Sequence, residues 1–296
     1  MRGAFASTHP IVEISFFIFM VLITVLFRHP VLLGISFILA LAYAIRLSGL
    51  KALLLTFAIM VPMMIGALLI NVLFNHRGAT MLFYLPDGNP FTLESLAFGA
   101  ASSLMIGAVV LWFACYMKIM TSDKFLYLFS RIIPALSLVI SMALRLVPRY
   151  LAQIRKIAEA QAAIGRGINS GNVLQRARHG LTILSVMVTW SLENGVETAD
   201  SMYARGYGLP KRTAYSLFKF EYRDGLMLTA MAYLAVITIA GIALGVVQVT
   251  FFPLFSINPM GILPALFYLV FLLAAALPLI IDGYEALIWH SLKSSI

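Results

Sequence analysis

Charge is what this sequence has least of. Of its 296 residues, 11% are charged and 61% hydrophobic, against about 25% and about 45–50% in soluble globular chains. That gap excludes a soluble fold and fits several bilayer spans, each needing about 20 mostly apolar residues. The apolar runs are continuous rather than alternating, so the spans are helices and not strands of a barrel. Cysteine is nearly absent too. Cys115 is alone, which rules out an intrachain disulfide and a multi-cysteine zinc site, and it reads as a small core residue. Catalytic signatures are missing as well. No G-x-x-x-x-G-K-[ST], H-E-x-x-H or G-x-S-x-G occurs, and the glycines around Arg166 lack the lysine and preceding strand of a phosphate cradle. The histidines are scattered, with His9 and His29 each preceding a proline at the start of an apolar run, where they read as interfacial. No enzymatic activity, metal or cofactor is expected.

What charge there is has one dominant sign, a formal net charge of +9. Its distribution points to membrane topology rather than to nucleic acid. Apolar runs cover Pro10 to Phe27, Pro30 to Ile45, Leu50 to Phe74 (with Pro62 expected to kink it), Leu96 to Met117, Gly225 to Val249 and Gly261 to Ile281. No small-residue cleavage pattern follows the first, which reads as a retained span. Arg2, Arg46, Lys51, Lys118, Lys124, Arg131 and Lys293 fall on one side of a six-span arrangement and mark it as cytoplasmic, with both termini inside. The loop from Asn75 to Glu94, with turn chemistry in Pro86-Asp87-Gly88-Asn89-Pro90, and the uncharged stretch from Phe251 to Pro259 fall outside. Arg28 is the exception placed outside. Glu13, Asp282 and Glu285, near span ends, are expected to snorkel to the interface.

Between Lys118 and Arg223 lie 15 of the 21 Lys and Arg residues. Two apolar stretches inside this region, Ile132 to Val147 and Leu181 to Leu192, have basic flanks on both sides and are short for a span. They read as parts of helices along the cytoplasmic face. The first helix is expected to start with Pro134 at its first turn, to bend at Pro148, and to stop at Gly165-Arg166-Gly167 with Asn169, Ser170, Gly171 and Asn172 beyond. The second runs from near Val173 to Ala204 and stops at Arg205-Gly206-Tyr207-Gly208 and Pro210. In both, an Arg in the last turn and a Gly at the left-handed position just past it make the stop. The two Arg residues are 39 positions apart. Each presents a planar donor fork suited to a partner's carboxylate or carbonyls. Glu193, Glu197 and Asp200 share a face of the second helix. They read as a solvated face, or as partners of Arg145, Arg149 or Arg155.

These features resemble the transmembrane T component of energy-coupling factor (ECF) transporters, which includes the CbiQ-type cobalt-transport permeases. The segment Ala143-Leu144-Arg145-Leu146-Val147-Pro148 is similar to that family's Leu-Arg-apolar-Pro segment. Its hallmark is a pair of Ala-Arg-Gly motifs at the tips of two long coupling helices. Ala204-Arg205-Gly206 matches one fully. Gly165-Arg166-Gly167 matches the other with Gly for the usual Ala, a change expected to loosen the last helical turn by up to about 1 kcal/mol. The resemblance implies an all-α polytopic membrane protein of about six spans plus two cytoplasmic coupling helices. It divides into 1–117, 118–223 and 224–296. It implies two cytosolic ATP-binding-cassette ATPase subunits docking on Arg166 and Arg205, with Arg145 and Pro148 shaping the coupling helix. A separate substrate-binding S component completes the assembly, a vitamin or metal-ion importer of a prokaryotic cell membrane. A stand-alone secondary transporter or channel is the rival reading; it would need a substrate site at mid-membrane. A membrane-anchored assembly scaffold is the third.

Overall fold

The computed structural model describes residues 3–84, 90–130, 133–167, 171–207, 209, 218–257 and 261–294. Arg2, Pro86 to Asn89, Arg131, Asn169, Ser170, Gly208, Pro210 and Pro259 lie outside the described residues. The chain forms two compact units. One comprises residues 1–125 and 218–296, and the other residues 126–217.

The first unit carries the apolar helices α1 (Pro10–Leu26), α2 (Pro30–Phe74), α3 (Leu93–Ile119), α7 (Tyr222–Ala243) and α8 (Ile262–Ser294). Five helical segments are long and apolar enough to cross a bilayer: Pro30–Gly49, Leu53–Phe74, Leu93–Ile119, Tyr222–Ala243 and Ile262–Trp289. At 17 residues, α1 is shorter, about 25 Å of helix. A helical α2 of 45 residues would be about twice as long as a bilayer core is thick. Gly49 breaks it, with φ 67° and ψ 167°, a conformation open to glycine and costly for other residues. The helix passes through Pro62; its one internal non-helical residue is Gly49.

Hydrogen bonds to α3 show that α2 folds back on itself at Gly49. Ser95 Oγ donates to Asn71 O (2.8 Å) and Ser103 Oγ to Met64 O (2.9 Å), so α3 runs antiparallel to the second half of α2. Trp112 Nε1 donates to Ser36 Oγ (2.9 Å), and Cys115 Sγ lies 3.9 Å from Ala40 O, so α3 runs parallel to the first half. Gly107 sits where the halves converge. A Cβ there would lie 2.7 Å from Met64 Sδ and 2.9 Å from Phe37 Cε2. Small residues let helix backbones approach closely in lipid, where hydrophobicity alone gives no drive to associate. Around this interlock lies a buried core that includes Phe16, Met20, Tyr43, Leu111, Trp112 and Phe271.

Arg28 lies at the same end of this unit as the loops after α2 and α7. Ala79 N–H donates to Pro253 O (3.0 Å), so the loops after α2 and after α7 meet. The Arg28 guanidinium lies 5.1 Å from the centroid of Phe98, whose ring packs on Phe251 and Phe252. Both loops carry short antiparallel hairpins that sequence pattern did not announce. β1 (Met81–Tyr84) pairs with β2 (Pro90–Thr92), and β3 (Val249–Thr250) with β4 (Ser256–Ile257). His29 also belongs here, at the start of α2, and it is buried. Its Nδ1 accepts from Val31 N–H (3.3 Å), capping α2, and its Nε2 lies 3.1 Å from Tyr268 Oη. Burial lowers its pKa below the ordinary histidine value.

The expected snorkelling of Glu13 and Asp282 is corrected at the opposite end. Both are buried, at 0% and 2% exposure. Carboxylates are taken out of water only when charges and N–H groups replace the lost hydration. Lys124 lies 2.5 Å from Glu13 Oε1; Phe5 N–H (2.8 Å) and Arg46 serve Asp282. The N-terminal segment that supplies the Phe5 N–H was not visible to local pattern.

Filling Gly107 tests the α2–α3 interlock. Gly107→Val should overpack the site and cost about 1–3 kcal/mol, read as a lowered thermal midpoint in detergent. Val at Gly34, where nothing lies within 4 Å of the Cβ position, should leave the midpoint nearly unchanged.

Candidate functional site

The second unit is built on α5 (Pro134–Ala163) and α6 (Val173–Ala204). A short helix, α4 (Ser122–Ser130), leads into it. Pro134 opens α5 at its first turn, as expected, and Pro148 lies inside an unbroken helix. At the start of α6, Asn172 N–H donates to Gln175 Oε1 (3.0 Å), half of a capping box.

The two helices cross antiparallel. Ser191 Oγ donates to Tyr150 Oη (2.8 Å), while Ile157 packs with Ile183 and Met187. Tyr150 stands edge-on to Trp190, and the Arg149 guanidinium lies 5.7 Å from the Trp190 centroid, a cation–π contact. The crossing places the two helix C-termini on opposite sides of it. Arg205 is 14 residues beyond Ser191 and Arg166 is 16 beyond Tyr150. At 1.5 Å per residue the tips lie up to about 45 Å apart along the helices.

Both tips end in the same hydrogen-bonded device, a Schellman motif, in which the chain past the helix donates back to its last free carbonyls. At α6, Gly206 N–H donates to Tyr203 O (2.9 Å) and Tyr207 N–H to Met202 O (3.0 Å). Gly206 has φ 77°, and Arg205 is the C-cap itself. At α5, Gly165 N–H donates to Ala162 O (3.0 Å) and Arg166 N–H to Gln161 O (2.9 Å). Here the left-handed residue is Gly165, also with φ 77°, and the C-cap is Ile164.

The expectation of equivalent tips is therefore corrected. Arg205 closes its helix; Arg166 stands two residues past its own C-cap. Gly165 does not loosen a last helical turn, because it terminates the helix. The cause is competition between two glycines. The earlier one reaches the left-handed conformation first, at no Cβ cost, and Gly167 is left without it. Arg166 and Arg205 are both exposed, while Gly167 is buried.

A groove of about 660 Å³ opens on the α6-tip side of the crossing, lined among others by Arg145, Arg149, Tyr150, Asn194, Glu197 and Arg205. It brings together two residues the sequence singled out separately, Arg145 and Arg205. Gly165, Arg166 and Gly167 are not part of it. With three guanidiniums against one carboxylate, the groove favours an anionic partner. Glu193, Glu197 and Asp200 are exposed. The ion pairs among the described residues, Arg46–Asp282 and Lys124–Glu13, leave all three out, consistent with a solvated face. On α5, Leu136, Ile140, Leu144, Val147, Leu151 and Ile154 form an exposed apolar stripe at helical spacing.

Comparison with known proteins gives a consistent picture. The family model described as CbiQ, cobalt transport protein, matches residues 6–215. The chain is 34% identical over 103 residues to an energy-coupling factor transporter transmembrane protein EcfT of Staphylococcus aureus, covering 34% of this chain and 38% of that one. It is 37% identical over 90 residues to the Lacticaseibacillus paracasei protein of the same name, covering 30% and 34%. It is 29% identical over 179 residues to an uncharacterized protein of Mycoplasma genitalium, MG181, covering 51% and 43%. The chain thus matches less than half the length of each of these curated relatives.

Restoring alanine at the α5 tip tests the cap register. A left-handed Ala costs about 1–2 kcal/mol, so Gly165→Ala should move the cap to Gly167 and lengthen α5 by two residues, about 3 Å. Carbon chemical shifts of the chain in nanodiscs should turn helical at residue 165 and at Arg166. Unchanged shifts at Arg166 would refute the glycine competition.

Proposed function

Because the chain belongs to the CbiQ cobalt transport protein family, we propose that it is the transmembrane coupling subunit, the T component, of an ATP-driven ECF importer. It hydrolyses nothing itself. Two cytosolic ATP-binding-cassette subunits dock on its two helix tips, one through Arg205 and one through Arg166. A small substrate-binding membrane subunit, the S component, selects a vitamin or metal ion. This chain converts the approach and separation of the ATPases into a movement felt by that subunit.

The observation that carries this reading is the placement of the tips. Two capped helix ends on opposite sides of an antiparallel crossing, each with an exposed Arg, can be held by two separate subunits at once. Helices pivoting about one small apolar contact can change their opening as those subunits move, because few buried groups resist the change. The exposed stripe on α5 offers an apolar surface for lipid or for the S component. The first unit supplies the membrane scaffold, with its termini proposed to face the cytoplasm on the side richer in Lys and Arg.

Charge reversal at the tips tests the docking. Arg205→Glu should cost about 2–5 kcal/mol of ATPase affinity, since it puts like charge where a carboxylate or carbonyl is expected. Arg166→Glu should cost less, because Arg166 stands outside its helix cap and outside the cationic groove. Both variants should still insert. Retained ATPase stoichiometry and retained ATP-dependent uptake in both would refute the proposal. Substrate flux through the purified chain alone in liposomes would favour a stand-alone transporter instead.

A further inference from the structure

Two carboxylates of the membrane unit, Asp224 and Asp282, converge on one short stretch of chain, residues 3 to 13, and a third, Glu13, lies at its end. Asp282 Oδ1 accepts Phe5 N–H at 2.8 Å. Asp224 Oδ1 accepts His9 N–H at 3.2 Å. Glu13 pairs with Lys124, whose Nζ also donates to Ala6 O at 2.7 Å. The fit is close, since any Cβ at Gly3 would collide with the Asp282 carboxylate. Phe5, His9, Glu13, Lys124, Asp224 and Asp282 are all at least nine-tenths buried.

The positions of these partners in the chain are informative. Lys124 lies on α4, one residue before the membrane unit ends at Phe125. Asp224 lies in the first turn of α7, just after the unit resumes at Phe218. Its other oxygen, Oδ2, accepts Glu221 N–H at 3.1 Å and so caps that helix. One strap is thereby bonded to both necks, the point where the chain leaves the membrane unit for residues 126–217 and the point where it returns.

The bonding is costly for a plain tether. Burying an ion pair costs several kcal/mol per ion before attraction repays it, and apolar residues of similar volume often hold as well or better. Glu13 Oε2 and Asp282 Oδ2 have no hydrogen-bond partner among the described residues. What such a pair does offer is one geometry, made or broken as a whole, and therefore a register or switch role.

Resting on the T-component reading, we propose that the strap is a latch. Glu13 and Lys124, with Asp224 holding the His9 backbone, are positioning residues that fix the two necks against each other, so that motion of the coupling helices reaches the membrane unit instead of dissipating at the necks.

The test uses the whole transporter and the isolated chain. Glu13→Gln removes the charge and keeps the shape; Lys124→Gln does so from the other side and carries the test if the first fails to insert. In the assembled complex, ATP hydrolysis should persist while substrate taken up per ATP falls about tenfold. In the chain alone in nanodiscs, amide exchange in α4 and at the start of α7 should accelerate about tenfold. The swap Glu13→Lys with Lys124→Glu should recover part of both. An unchanged uptake-to-ATP ratio in assembled variants, with exchange at the necks also unchanged, overturns the latch. So does a loss of thermal stability with that ratio intact, which is what a plain tether would give. If the unaltered chain binds no ATPase, the T-component reading fails, and the exchange arm still decides whether the strap holds the necks.

Discussion

Inside a bilayer a polar group has no water to turn to, so each must find its partner in another part of the same chain. That constraint organises the membrane unit. Its spans are held by a few directional bonds between helices, from Ser95, Ser103 and Trp112 on α3 to both halves of α2. Gly107 and Gly99 let those backbones come close enough for the bonds to form. The same rule applies to charge. Glu13 and Asp282 can be buried because Lys124, Arg46 and the Phe5 amide come to meet them. The N-terminal segment is bonded as a consequence to Lys124, near where the chain leaves for its second unit, and to Asp224, near where it returns.

The second unit follows a different economy. α5 and α6 share a small buried contact of Ile157, Ile183 and Met187, flanked by Tyr150 and Trp190. Much of their apolar surface stays exposed. Two long helices touching at one crossing have little core of their own. Their tips are each closed by a left-handed glycine. That contrast, firm ends on a loosely packed pair, suits a part that is gripped at its ends and moved.

Much of this was legible in the sequence where punctuation is strong. Pro134 starts α5 and Ala204 closes α6 where the sequence predicts, while Ala163 closes α5 two residues before the end that Arg166 and Gly167 predict. The spans followed from continuous apolar runs, and the break at Gly49 falls in the basic interval between two of them. The cap register at the first tip was not legible, because Gly165 and Gly167 both qualify and only backbone conformation chooses between them. Nor were the partners of Glu13 and Asp224. They lie 111 and 215 residues away, and a carboxylate near a span end looks the same whether it is solvated or paired. The two hairpins escaped for a simpler reason: strands of two to four residues carry too little periodicity to read.

Central to this account is that the two Arg tips engage two different ATPase copies. Cys115, the single native cysteine, is buried, so a cysteine placed at position 166 or at 205 would be the only accessible thiol. Cross-linking from each in the purified transporter, with masses read by native mass spectrometry, tests the claim directly. The account predicts one ATPase subunit captured from each position and two from the doubly substituted chain. Capture of one subunit by both positions, or of none by either, would contradict it.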